Sequence, residues 1–142
     1  ISESSAQQSQ DLQQVTLIEK MVRELDMAVE IVRVPIRREP DGLAMSSRNA
    51  YLSHQEREVA PELHRVLEAG SRFLKQRGEC AVEDLLDIMR ECLSRFPAFR
   101  LDYLEVVDRK SLRPVMKAVC GQVVIAVAAY LGKTRLIDNM DV

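Results

Sequence analysis

The first stretch of patterned sequence predicts a helix followed by a short strand. Apolar residues recur at helical spacing over residues 11–26, and Asp11 stands where an N-cap is expected. Residues 29–34 are short and β-branched, and Pro35 ends them, which is typical of a strand. A parallel strand of this kind pairs with earlier strands. We therefore expect residues 1–40 to be the last piece of a parallel α/β domain.

Two further helices are predicted from the next apolar stripes. Ser53 and Glu56 have the spacing of a capping box, so a helix should begin at Ser53 and end near Gly78. Pro61 lies inside this stripe and should kink the helix or move its start later. A second stripe predicts a helix over residues 81–95, which a proline then stops.

The last third of the chain is predicted to form strands. Residues 101–107, 123–131 and 134–138 are rich in apolar and β-branched residues, and the long middle run predicts a buried strand. Gly132 and Lys133 separate the last two strands by two residues, which favours a tight antiparallel hairpin. The expected class is α+β, with residues 41–142 forming a small domain of helices on a short antiparallel sheet.

Composition narrows the functional classes. The chain has 142 residues, 46% of them hydrophobic and 30% charged, so it should fold around a core. A formal net charge of −2 gives no electrostatic footprint for nucleic acid or an anionic membrane. Residues 1–10 are polar and rich in Ser and Gln, unlike a signal peptide, and we expect either the stump of a chain that began earlier or a segment that is not native.

The cysteines and histidines do not form a metal-site pattern. Cys80, Cys92 and Cys120 are odd in number and form no C-x-x-C pair, so free, mostly buried thiols are expected. His54 and His64 are ten residues apart on one predicted helix, which is not the spacing of a metal-binding pair. Surface or capping positions are expected for both histidines. The charged residues 56–58 and 108–110 are expected to be solvated.

Residues 36–53 are the segment best suited to carry chemistry. A turn is predicted at residues 40–42, and the polar remainder predicts a loop. Ser46, Ser47 and Arg48 combine two hydroxyls with a guanidinium, whose planar fork of donors matches phosphate oxygens. Taken alone, this tripeptide also fits a solvated polar loop.

The longer run around the tripeptide resembles the pantothenate synthetase family. The match begins at Val34-Pro35 and continues as REPDGLAMSSRNAYL over residues 38–52, where that family has the counterpart of the KMSKS loop of class I aminoacyl-tRNA synthetases. Residues 11–32 resemble the helix and strand that precede this loop in the family. Residues 102–105 and 127–139 resemble its C-terminal sheet, so the resemblance covers about residues 11–139.

The resemblance implies a Rossmann-like nucleotidyl-transferase domain that ends near residue 40, followed by a lid domain. It implies a reaction in which ATP activates pantoate as pantoyl adenylate and β-alanine then displaces AMP. ATP with Mg would be a substrate, and the enzyme would be a cytoplasmic ligase of the coenzyme A route, with a homodimer left open. The implied ATP-binding residues are Asp11, Arg37, Met45, Ser46, Ser47 and Arg48, and the implied pantoate-binding residue is Gln14. Arg37 stands where the family usually has a small apolar residue.

Two departures from the family pattern limit what is expected of the chain. The G-[QE]-K-D signature would fall on residues 8–11, where Gln8 replaces the glycine and Gln10 replaces the lysine. The H-x-G-H motif of the family's N-terminal half is absent, so no catalytic residue is assigned and the isolated chain is expected to be inactive. A non-catalytic folding or association module is the alternative. A synthetase fragment that binds tRNA is disfavoured because a basic patch is missing.

Overall fold

The computed structural model describes residues 17–25 and 38–142. Within these residues helices and strands are mixed, as expected for the coarse fold class. The predicted strand at residues 29–34 lies outside the described residues. The elements are α1 (17–25), a 3-10 helix Ser47–Tyr51, α2 His54–Val59, α3 Glu62–Arg77, β1 Glu79–Ala81, α4 Val82–Ser94, β2 Phe99–Asp108, β3 Lys117–Val119, β4 Val123–Leu131 and β5 Thr134–Asp141.

The helix ends predicted at Ser53 and Gly78 are present, and Pro61 divides the predicted helix into α2 and α3. Ser53 and Glu56 form the reciprocal capping box at the start of α2. Pro61 interrupts the predicted helix and moves the start of its main part later: α2 ends at Val59, and Pro61 becomes the N-cap of α3, although Ala60 and Pro61 keep helical backbone angles. Proline has no N–H to donate within a helix, but it fits a helix start, where that donor has no partner. Gly78 ends α3 with a φ of 76°.

The main sheet is antiparallel and has the strand order β2-β4-β5. The hairpin predicted at Gly132 and Lys133 is present, since Leu131 pairs with Thr134 across a two-residue turn and Gly132 has a φ of 64°. The strands β2 and β5 extend beyond the predicted bounds. A second sheet, β1 with β3, was not predicted because three-residue strands carry too little alternation to be recognised.

The two faces of the main sheet pack against different partners. The inner face lies against α3 and α4, where Leu67, Met89 and Ile125 are fully buried. The outer face lies against α1, whose Met21 and Leu25 pack against residues of β2 and β4. Because both faces are covered, almost every residue of β4 is buried, which confirms the prediction for this strand.

The cysteines agree only in part with the expectation of buried thiols. All three are free; Cys80 is buried, while Cys92 and Cys120 are half-buried. Burial is the main reason that the pKa of the Cys80 thiol is raised.

In the described part of the chain, no three residues of the kinds that bind metal ions come together. No helix in residues 17–25 or 38–142 has the length and apolar character needed to cross a membrane.

Candidate functional site

A short hairpin over residues 38–44 precedes the segment with candidate chemistry. Arg38 lies opposite Ala44 in an antiparallel bridge. The backbone N–H of Glu39 donates to the carbonyl of Leu43 at 2.8 Å, and the N–H of Gly42 donates to the carbonyl of Glu39 at 2.9 Å. Gly42 has a φ of 96°, which side chains other than glycine adopt at a cost. The turn predicted at residues 40–42 is therefore confirmed.

A bidentate ion pair fastens this 38–44 hairpin to β5. The two terminal nitrogens of Arg38 donate to the two carboxylate oxygens of Asp138 at 2.8 and 2.9 Å. Arg38 also donates to the carbonyl of Gly42 at 3.1 Å, so the guanidinium bonds both to the turn of the hairpin and to β5. Asp138 is only 5% exposed. A charge-assisted pair at this depth fixes position as well as adding stability.

The hairpin leads into the 3-10 helix, which replaces part of the predicted loop. Ser46 is its N-cap, and the Ser46 hydroxyl oxygen accepts the N–H of Arg48 at 3.2 Å. The Asn49 side chain donates to the carbonyl of Ala44 at 3.0 Å and so links the 3-10 helix to the end of the hairpin. The sequence alone did not indicate this helix because Ser, Arg and Asn together form no apolar stripe, and Ser and Asn favour caps and turns.

Four of the predicted site residues lie together on this segment. Met45, Ser46, Ser47 and Arg48 are consecutive and exposed, with Met45 half-exposed at 50%. We call residues 45–48 the lid segment, after the role that the resemblance implies for them and that stays a prediction. The other predicted site residues are Asp11, Gln14 and Arg37, and they lie outside the described residues.

A cleft of about 850 Å³ opens beside the lid segment. It lies between the 3-10 helix and the β4–β5 turn, and its lining consists of Arg48, Tyr51, Glu56, Tyr130, Gly132, Lys133, Thr134 and Arg135. Three of these residues are cationic and one is a carboxylate. Glu56 is also committed to capping α2, since one of its oxygens accepts the N–H of Ser53 at 2.9 Å. The cleft therefore favours an anionic ligand over a cationic one.

Arg135 also lines the cleft, although the sequence did not indicate it as a candidate site residue. Its side chain is 14% exposed, with Nη1 donating to Glu24 at 2.6 Å and Nε donating to Asp102 at 2.9 Å. Burial by itself would lower the pKa of Arg135, but the hydrogen bonds to Glu24 and Asp102 outweigh it, so the pKa is raised. Nη2 is buried and has no hydrogen-bond partner among the described residues. Arg135 thus offers the cleft a spare N–H donor, while its charge is paired with Glu24 and Asp102.

The expectation for His64 was wrong, whereas that for His54 is confirmed. The His54 side chain is 90% exposed, but that of His64 is only 15% exposed. His64 faces inward because its position on α3 is covered by the 38–44 hairpin and by β5, and neither contact is visible in the local sequence pattern. Its Nε2 lies 2.8 Å from Glu68 and its Nδ1 lies 3.6 Å from Asp138.

One charge in the run after His54 is also less solvated than expected. Arg57 donates to both oxygens of Asp41, at 2.7 and 3.3 Å, and so ties α2 to the turn of the 38–44 hairpin. The hydrogen bond from Arg57 is the main cause of a lowered pKa at Asp41, and the same bond raises the pKa of Arg57. Both side chains remain about a third or more exposed, so the pair adds little stability.

The mixed helices and strands carry an exposed polar segment beside a cleft with three cations and one carboxylate. Comparison with known proteins identifies the family of the chain. The model of the family described as pantoate-beta-alanine ligase matches residues 7–141. The chain belongs to this family, as its resemblance to pantothenate synthetase indicated.

Individual relatives agree with the family assignment. The pantothenate synthetases of Pseudothermotoga lettingae and Carboxydothermus hydrogenoformans are each 48% identical to the chain over 129 residues, which cover 91% of it and 45% of each relative. A crystal structure of pantothenate synthetase from Thermus thermophilus superposes with a TM-score of 0.69 at 42% identity, covering 76% of this chain and 38% of that one. The chain thus spans a little under half the length of the curated relatives it matches.

Proposed function

We propose that the chain serves the ATP-dependent joining of pantoate to β-alanine, with the lid segment covering the phosphates of ATP. The observation that carries the proposal is the exposed run of Met45, Ser46, Ser47 and Arg48 beside a cationic cleft, in a chain of the pantoate-beta-alanine ligase family. Phosphate is the anion that such a set of hydroxyls, backbone donors and guanidinium groups suits best.

In the proposed reaction, a pantoate carboxylate oxygen bonds to the α-phosphorus of ATP, and the bond from that phosphorus to pyrophosphate breaks. The neutral amine of β-alanine then bonds to the acyl carbon and loses a proton to solvent, and AMP leaves with the electron pair of the broken acyl C–O bond of the mixed anhydride. Negative charge moves onto the pyrophosphate oxygens in the first step. In this proposal the Arg48 guanidinium stabilises that charge, with Ser46 and Ser47 as neutral donors. Mg accompanies ATP as part of the substrate.

The β4–β5 turn adds two cations to the same cleft, although neither was a predicted site residue. Lys133 stands at the tip of the turn, and Arg135 contributes the buried Nη2. The charge of Lys133 and the spare donor of Arg135, whose own charge is paired with Glu24 and Asp102, favour retention of a polyphosphate against the carboxylate of Glu56. In the proposed arrangement the nucleotide therefore lies between the lid segment and this turn.

The remaining assignments complete the proposal. Residues 1–40 would be the end of a Rossmann-like nucleotide domain, with Asp11 and Arg37 on the ATP side and Gln14 against pantoate. Residues 41–142 would be the lid domain. The setting would be the cytoplasm and the coenzyme A route. We expect the isolated chain to form no AMP from ATP, pantoate and β-alanine, since neither of its histidines stands in an H-x-G-H motif.

Calorimetric titration of the isolated chain with Mg-ATP tests the lid role. Arg48→Ala should weaken ATP binding by about tenfold or more, because a hydrogen-bonded charge contributes roughly 1.5–3 kcal/mol. Arg72→Ala is the matched control, since Arg72 is an exposed arginine on α3 outside the lining of the cleft. Equal affinities for the two variants would contradict the role of Arg48. No heat from the unmodified chain would favour the association module instead.

A further inference from the structure

Three buried polar atoms in the described part of the chain have no hydrogen-bond partner there. They are Oδ1 of Asn49, Nδ1 of His64 and Nη2 of Arg135. The three residues are far apart in sequence and belong to the 3-10 helix, α3 and β5. Buried polar groups are nearly always hydrogen-bonded, because leaving one without a partner costs free energy. Three such atoms in one small protein therefore call for a common explanation.

All three of these residues line the same cavity, which has a volume of about 100 Å³. Its lining also includes three residues of the lid segment, namely Met45, Ser46 and Arg48. Most of the other lining residues are apolar and come from the 38–44 hairpin, α3 and β5. Since a water molecule occupies about 30 Å³ in the liquid, the cavity has room for about three waters.

The chemistry of the three atoms suits a ligand that both donates and accepts hydrogen bonds. Nη2 of Arg135 can only donate, and Oδ1 of Asn49 can only accept. Nδ1 of His64 does one or the other according to its protonation. An anion in the cavity would meet the oxygens of Asn49 and of the lining residue Asp138, whereas a cation would meet the guanidinium of Arg135. Water satisfies all three atoms, whichever nitrogen of His64 carries a proton.

The charges around the cavity do not require an ion either. Arg135 and Asp138 are each paired with groups of opposite charge, and Nε2 of His64 lies 2.8 Å from Glu68. The remaining guanidinium is that of Arg48, which is exposed and also lines the larger cleft. A neutral ligand therefore fits the cavity better than an ion does.

We propose that this cavity is a hydration site whose ordered waters join the 3-10 helix to α3 and β5 and so hold the lid segment in place. The waters bond to Asn49, His64 and Arg135, three residues that no direct hydrogen bond connects. Asn49 is then held on two sides, since its Nδ2 donates to the carbonyl of Ala44 in the hairpin. A bridging water is nearly as favourable as a direct hydrogen bond. For its meaning in catalysis the inference rests on the proposed function, but the hydration does not depend on ATP.

Magnetic relaxation dispersion of ¹⁷O in water counts the waters that the isolated chain holds far longer than surface waters. Ala44 lines the cavity, so Ala44→Leu adds three carbons there, and the count should fall by about three. Ala50→Leu makes the same change at an exposed position of the 3-10 helix outside the lining and should leave the count unchanged. Hydrogen-exchange protection of the Arg48 and Asn49 amides should fall several-fold in Ala44→Leu only, because the displaced waters leave polar atoms unbonded.

Nuclear Overhauser effects between water and methyl groups locate the waters in the unmodified chain. Leu43, Leu63 and Leu136 line the cavity, so their methyl groups should contact long-lived water, whereas those of Leu67 in the apolar core should not.

Several results would overturn the proposal. They are the absence of long-lived water beside the three lining leucines, an unchanged water count in Ala44→Leu, and loss of the waters when inorganic phosphate is added, which would make the cavity an anion site. If Ala44→Leu fails to fold, the methyl contacts of the unmodified chain decide by themselves. Failure of the chain to bind ATP would contradict the proposed function and leave the hydration result standing.

Discussion

The two faces of the main sheet are held by different kinds of contact. On the inner face, Leu67, Met89 and Ile125 are fully buried in an apolar core. On the outer face, apolar contacts surround a polar network in which Arg135 bonds to Glu24 of α1 and to a carboxylate of β2. Apolar packing is strong but has little direction, whereas hydrogen-bonded charges allow few geometries. The difference indicates that the inner face supplies stability and the outer face fixes where α1 lies.

The largest expected effect is on the inner face. Leu67→Ala should lower the free energy of unfolding by about 3–4 kcal/mol, because the lost burial is joined by the cost of a cavity. Leu101→Ala is the control, since Leu101 is 37% exposed and should cost less than about 1 kcal/mol. Urea unfolding followed by circular dichroism measures both values. Similar losses for the two variants would contradict the inner face as the main source of stability.

A smaller but more selective effect is expected from the outer face. Arg135→Met should cost about 3 kcal/mol, because it leaves two partly buried carboxylates without their cation. Arg100→Met tests the same change at an exposed arginine, whose guanidinium lies 4.7 Å from the Tyr130 ring centre, and should cost about 1 kcal/mol or less.

Hydrogen exchange gives a second measure of the role of Arg135. Arg135→Met should increase hydrogen exchange in α1 far more than in α3, because α1 is held by the outer face. Equal increases in both helices would remove the distinction between the faces.

The smallest effect concerns the hydroxyl of Tyr103, which donates to Glu24. Burial first, and then this hydrogen bond, raise the pKa of Tyr103 far above its usual range. The folded state therefore holds the proton more tightly than the unfolded chain. The resulting stability is present below about pH 10 and is lost as the pH rises above that value.

Tyr103→Phe tests this contribution. It should cost about 1.5 kcal/mol at neutral pH and flatten the fall in stability between about pH 10 and about pH 11.5, as measured by unfolding at each pH. Tyr51→Phe alters a ring that is 80% exposed and should leave the fall in place. An unchanged slope in Tyr103→Phe would show that another group causes the alkaline loss.

Much of the fold could be predicted because its signals are local. The capping box at Ser53, the breaks at Pro61 and Gly78, and the long apolar run of β4 each depend on residues close together in sequence. The lid segment was recognisable for the same reason, since its residues are consecutive. The bonds of Arg135 and the burial of His64 join residues far apart along the chain, and only the folded arrangement brings these together.

The strand β5 carries two side chains that form ion pairs with other elements, Arg135 and Asp138. Their spacing affects which sequence changes this strand tolerates. Arg135 and Asp138 are three residues apart, an odd number, so they lie on opposite faces of one strand. Arg135 holds α1 on one face, and Asp138 holds the 38–44 hairpin on the other. Deleting one residue between them would place both side chains on the same face, whereas a conservative substitution would disturb one anchor only. Natural variants should therefore exchange residues within β5 far more readily than they change its length.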